Sequence, residues 1–140
     1  MAAPVDRISD RHRVGVAQLE RLDEYVTIKR SIVERYATAF RGSRCIRPHP
    51  EPAHCRSIFW MYSVRSDREA RPQIDKLNAA DIMARPLWVP LHRLPAFKDS
   101  CLVHHSEQCD ELHATGLSLP CSVALTTNDQ QRVIEALNQP

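Results

Sequence analysis

Residues 12–40, HRVGVAQLERLDEYVTIKRSIVERYATAF, contain no proline and a single glycine, Gly15, in a chain whose ten prolines all lie elsewhere. Proline in a helix interior costs about 3 kcal/mol, so a stretch this long without one is free to be helical throughout. Its apolar residues support that. Leu19, Leu22, Val26 and Val33 fall near one stripe, and Ile28, Ile32, Tyr36 and Phe40 run beside it at a spacing of four. Charged residues fill the other face. The pattern predicts an amphipathic helix with a wide apolar face, capped by Asp10 and stopped at Gly42. Whatever else the chain forms must cover that face.

The remaining segments are short. SRCIRPHPEPAHCR (43–56) is proline-rich and predicts a loop. SIFWMYSVR (57–65) is aromatic and branched, too short for a helix, and predicts a largely buried strand. Ser66 and Glu69 have the spacing of a capping box, but Pro72 fits better as the first residue of a helix near 72–80. IMAR (82–85) predicts a short strand, 103–114 a helix ended by Gly116, and LSL (117–119) another brief strand. Thr127 and Gln130 predict a capping box for a last helix that buries Val133, Ile134 and Leu137. Short strands separated by helices make an α+β layer, a sheet of about three strands with helices packed on one side.

The 140 residues correspond to a single domain, 1–140. A net charge of +2 supplies no strong field for nucleic acid or an anionic membrane. No apolar run approaches the roughly 20 residues needed to span a bilayer, and MAAPVDRISDRHR lacks the apolar core of a signal peptide. The expectation is a soluble cytoplasmic protein. Its five cysteines are then reduced thiols. In CLVHHSEQCDELH, the residues His105, Cys109 and His113 recur every four positions with Cys101 nearby. Spread over two helical turns they converge poorly on one zinc ion, so no metal site is expected.

Catalytic motifs are few. The three glycines are isolated, so no phosphate loop exists, and neither G-x-S-x-G nor H-E-x-x-H occurs. Asp110 and Glu111 are adjacent and face different ways on a helix, which rules out a paired acid and base. ARPLWVPLHRLPAF (84–97) stands apart. Its X-Pro steps hold Arg85 and Val89 extended. An arginine on a stiff segment can present its planar fork to phosphate or carboxylate, with Trp88 and His92 flanking a ligand. The same residues also allow a plainer account: Trp88, Leu91, Leu94 and Phe97 anchor a loop onto the core while Arg85 pairs with an acid.

This segment resembles the R-P-aromatic-x-P-L-H stretch of the pyridoxal phosphate (PLP)-dependent sugar-nucleotide aminotransferases, the DegT/DnrJ/EryC1/StrS family. VGVAQLERLDEYVTIKRSIVERYATAF is similar to that family's A-Q-L-E-x-L-D helix, SIFWMYSVRSDRE to its W-M-Y-x-V strand, and LHATGLSLPCSVALTTNDQQRVIEAL to its closing G-L-x-L-P helix. The four motifs occur in family order, most like the perosamine-synthase branch. The resemblance implies the small C-terminal domain of a fold-type I aminotransferase, without the large domain that holds PLP.

Of the 19 basic residues only Lys29, Lys76 and Lys98 are lysines, and none matches the family's Schiff-base lysine. Aminotransfer needs that amine. The resemblance therefore implies a chain inactive by itself, with no cofactor bound by it alone. It places Arg85, His92 and Trp88 beside the sugar-nucleotide site and Arg7 near the cofactor phosphate. Arg7 belongs to an N-x-R triplet that here is Val5-Asp6-Arg7, with valine where the family has asparagine. Asp81 stands where the family often has glycine. Two functions follow. One is part of an aminotransferase acting on a nucleotide-linked keto sugar, completed by a missing N-terminal half. The other is a non-enzymatic remnant pairing with a full-length paralogue. A fragment of this kind would self-associate or form a homo-oligomer through its apolar faces.

Overall fold

The computed structural model describes residues 6–97, 99–100 and 106–138, with side chains from residue 12 onward except at Ser106. The proline-free stretch is helical, but in two pieces, α1 (Asp6–Glu20) and α2 (Leu22–Ala39), separated by a turn at Arg21. Asp10 therefore lies inside α1 rather than capping it. The helix start moves upstream because nothing between Asp6 and Asp10 breaks it. Past α2, Gly42 adopts φ +76°, the left-handed geometry that lets the chain leave the helix.

A four-stranded antiparallel sheet has the order β1-β2-β4-β3. It comprises β1 (Ile46–Pro48), β2 (Tyr62–Ser66), β3 (Arg85–Pro86) and β4 (Gly116–Leu119). This is one strand more than predicted. The extra one, β1, lies in the proline-rich segment taken for a loop; proline is tolerated there because β1 is an edge strand. Conversely, the predicted strand 57–65 begins only at Tyr62. Phe59 has φ +47°, which interrupts extended backbone, and Ile58 and Trp60 are exposed rather than buried.

Register explains the core. Tyr62 pairs with Leu119, Val64 with Leu117, and Ser66 with Ile46, so one sheet face carries these residues, and all are buried. Helix α2 lays Ile32, Val33 and Tyr36 into this core. Tyr36 stacks on Tyr62 at 5.2 Å between ring centroids and on Phe40 at 6.0 Å. Each stacked pair contributes about 0.5–1.5 kcal/mol beyond the area it buries. The Tyr36 hydroxyl donates to the Pro120 carbonyl, and burial pushes its pKa far up.

Helix α3 (Ala70–Ala79) adds Ile74 and Leu77, and α5 (Thr127–Asn138) adds Val133 and Leu137. Helix α4 (Ser106–Thr115) precedes β4 directly. Pro72 sits in the first turn of α3, where its missing N–H has no helical partner to lose. Ser66 is no cap for α3; its Oγ accepts from the Arg68 N–H and from Gln73 Nε2. At α5 the cap falls one residue earlier than predicted. Thr126 Oγ1 accepts the Asp129 N–H at 3.1 Å and donates to the Asp129 carboxylate at 2.6 Å. That frees Gln130 to reach inward, where it is buried and donates to the Ile32 carbonyl at 2.6 Å.

Candidate functional site

Residues 84–97 run from the edge strand β3 into two 3-10 turns, Leu91–Arg93 and Pro95–Phe97. Arg85 pairs with Ser118 across the sheet and Pro86 with Leu117, which fixes where the segment leaves the sheet. Beyond Pro86, two further prolines, Pro90 and Pro95, and short turns keep the backbone from joining an α-helix or strand. Helix α4 holds the segment in place instead.

Two side chains of α4 do this. His113 Nδ1 lies 3.0 Å from the Leu87 carbonyl, which as an acceptor requires the proton on that nitrogen. Asp110 Oδ1 lies 2.9 Å from His92 Nε2 and 2.6 Å from Arg93 Nε, so one carboxylate receives both consecutive side chains. Glu111, its neighbour, turns the other way and pairs with Arg65 of β2. Asp110 and Glu111 thus face different ways, and each holds its own basic partner. Leu87 also packs against Gly116 so closely that a Cβ there would lie 2.2 Å from Leu87 Cδ1.

The predicted site residues divide accordingly. His92 is half-buried and held by Asp110. Trp88 does not anchor the loop: it is 75% exposed, and Leu91 is 66% exposed. Arg85 is exposed, with Met83 Sδ 3.4 Å from its Nη2. The three residues thus lie on one clamped segment that offers an arginine fork and an indole to solvent. Arg7 falls in α1, where its side chain lies outside the described residues. The sequence reading missed Asp110 and His113 as the clamp. The available signal was their spacing of three on α4, which puts both on one helical face.

A Schiff-base cofactor needs a lysine amine with a lone pair to offer. Lys29 does not fit. Its Nζ donates to the carbonyls of Cys121 (2.7 Å), Trp60 (2.9 Å) and Phe59 (3.3 Å), using all three ammonium hydrogens. Lys76 lies on α3 at a separate cavity of about 340 Å³ that it shares with Cys45, Arg68 and Gln73. Lys98 is outside the described residues. Burial pushes the Cys121 thiol up while the neighbouring Lys29 pulls it down. Of the zinc pattern, Cys101 and His105 lie outside the described residues, and no cluster of three or more metal-ligating side chains occurs among those described. No helix among the described residues is long and apolar enough to cross a membrane.

The model of the DegT/DnrJ/EryC1/StrS aminotransferase family matches residues 10–138. The chain is 37% identical over 129 residues to EpsN of Bacillus subtilis, named as a pyridoxal phosphate-dependent aminotransferase, covering 89% of this chain and 33% of that protein. It is 36% identical over 134 residues to the GDP-perosamine synthase of Caulobacter vibrioides, covering 90% and 35%. Among solved structures, the aminotransferase TlmJ from Streptoalloteichus hindustanus superposes with a TM-score of 0.79 at 28% identity, over 89% of this chain and 34% of that one. The chain thus spans about a third of the length of the relatives it matches.

Proposed function

This chain belongs to the DegT/DnrJ/EryC1/StrS aminotransferase family, and from that membership we propose that it is the C-terminal lobe of an enzyme that aminates a nucleotide-linked keto sugar. In this reading it supplies one wall of the substrate site and does not transaminate by itself. The amino donor would be glutamate, and the product an amino sugar for polysaccharide or O-antigen assembly. The observation that carries the reading is the clamped 84–97 segment, which exposes Arg85 and Trp88 and holds His92 against Asp110 of α4. An arginine fork suits a diphosphate, and an indole suits a sugar or base face.

Inactivity of the isolated chain rests on its lysines. With the Lys29 amine engaged by three carbonyls, no aldimine forms there. The test is incubation of the purified chain with PLP followed by borohydride reduction and mass spectrometry. No stoichiometric lysine adduct is expected, and no amino exchange between glutamate and a keto-sugar nucleotide. A stoichiometric adduct on Lys29, Lys76 or Lys98 would overturn the proposal.

A second reading has support of its own, in exposed apolar side chains. Val14, Val16 and Leu19 of α1 are each more than half exposed, and Trp60 is 70% exposed. A surface with that much bare apolar area favours a protein partner. That partner would be an N-terminal lysine-bearing half, a full-length paralogue or a second copy of this chain. Sedimentation of the purified chain, alone and mixed with a lysine-bearing N-terminal half of a family member, separates these cases. A monomer that ignores the added half and stays silent to hydrophobic dyes would count against all three.

A further inference from the structure

Among the described residues, the carboxylate of Asp110 is the acidic group that touches the side chains of the 84–97 segment, and it does so twice. An ionised carboxylate only accepts hydrogen bonds. The 2.9 Å contact with His92 Nε2 therefore needs the ring proton on Nε2. In the neutral imidazole that leaves Nδ1 without a proton, as an acceptor. His113, three residues along the same helix, has the opposite tautomer, with Nδ1 donating to the Leu87 carbonyl. So α4 fixes one histidine to hold the backbone and leaves Nδ1 of the other as an acceptor.

From this arrangement we infer that Asp110 is a positioning residue. It sets the His92 tautomer so that Nδ1 accepts a hydrogen bond from a hydroxyl of the bound nucleotide sugar. Arg85, with no carboxylate in contact among the described residues, takes the diphosphate charge. The division of labour follows from chemistry. A cationic fork attracts phosphate oxygens, which are acceptors only, while an unprotonated ring nitrogen needs a donor, and a sugar hydroxyl is one. Arg93 shares the Asp110 carboxylate, so its guanidinium is turned to the clamp rather than to ligand. The role of His92 toward ligand rests on the nucleotide-sugar reading above; the tautomer does not.

The experiment uses the full chain. Long-range proton–nitrogen NMR correlation reads the tautomer of each of the seven histidines, with His92 assigned by its loss in His92→Gln. In the wild type, above the pH at which the ring loses its second proton, His92 should show Nε2–H and a pyridine-type Nδ1. Asp110→Leu should release the preference, Asp110→Glu should restore it, and Arg93→Ala should leave it unchanged. A wild-type His92 with the proton on Nδ1, or a tautomer indifferent to Asp110→Leu, would overturn the inference even before ligand is added.

GDP-mannose is then titrated as probe. His92→Gln, which can still donate to Asp110 but has no acceptor at the Nδ1 position, should weaken binding about tenfold, the effect of losing one good hydrogen bond. Asp110→Leu should do the same and Asp110→Glu should largely recover it. Full-strength binding by His92→Gln would refute the acceptor role. A correct tautomer with no chemical-shift change anywhere in 84–97, for GDP-mannose or UDP-N-acetylglucosamine, would instead refute the nucleotide-sugar reading.

Discussion

Lys29 Nζ lies 2.7 Å from the main-chain oxygen of Cys121, a residue 92 positions further along the chain. The same ammonium also donates to the carbonyls of Phe59 and Trp60, in a turn that Phe59 enters with φ +47°. One side chain of α2 thus ties the irregular approach to β2 and the exit from β4. Replacing it by an apolar side chain of similar length leaves carbonyls without a donor, at a cost of about 1–3 kcal/mol for each buried group left unmet. We expect Lys29→Met to lose about 2–3 kcal/mol in urea unfolding, since two of the three carbonyl contacts are only part-buried and the third, to Trp60, is exposed. A loss below about 0.5 kcal/mol would show that the amine is not structural, and would return it to consideration as a reactive group.

Asp81 ends α3 in the left-handed region, with φ +59°. Its N–H donates to the Asn78 carbonyl and the Ile82 N–H to the Leu77 carbonyl, the pair of bonds that closes a Schellman turn. Glycine suits that position because a Cβ there crowds the following carbonyl. We expect Asp81→Gly to raise stability by roughly 0.5–1 kcal/mol, and Asp81→Val to lower it by more than that, both measured by thermal unfolding.

Gly116 is different, because its φ is ordinary and the constraint is space. A Cβ there would stand 2.5 Å from the Leu112 carbonyl oxygen as well as 2.2 Å from Leu87 Cδ1. Leu87 could swing away, but the helical carbonyl cannot. Overpacking of this kind costs about 1–3 kcal/mol. Since Leu87 opens the candidate site, Gly116→Ala should also shift the Trp88 indole resonance, whereas Trp60 should not respond. An unchanged Trp88 signal would mean that the segment is not positioned through this contact.

Much of the architecture was legible because it rests on local pattern. The proline-free run had to be helical, the aromatic and branched run that ends in β2 had to include a strand, and Gly116 had to end α4. What escaped was non-local. Nothing in the sequence around Arg21 marks the turn that divides the long helix. The strand at 46–48 exists only because Ser66 and Val64 offer it an edge. The site was legible as a segment but not as a construction. Arg85, Trp88 and His92 could be singled out from prolines and a family motif, yet the clamp comes from Asp110, 18 residues past His92 and in another element. Only the fold brings the two together.

Glu51 shows how a loop without regular structure is held. Its carboxylate accepts the Ser57 N–H at 2.6 Å and both terminal nitrogens of Arg30 at 2.9 Å. The Arg30 hydrogen bonds, followed by the Ser57 N–H, lower its pKa from 4.5 to about 2. A carboxyl depressed on folding adds stability that is complete above its unfolded value and fades as pH falls toward its folded one. The window is therefore between about 4.5 and about 2. Carboxyl carbon NMR should give Glu51 a midpoint near 2, and the Ser57 amide should exchange faster with solvent only as that midpoint is crossed. Glu51→Gln should remove the acid sensitivity of the Ser57 amide while leaving the rest of the acid transition in place. An ordinary carboxylate midpoint for Glu51 would mean that the Arg30 pair does not persist in solution, and the turn that carries Trp60 outward would then rest on Lys29 and the Ser57 hydroxyl.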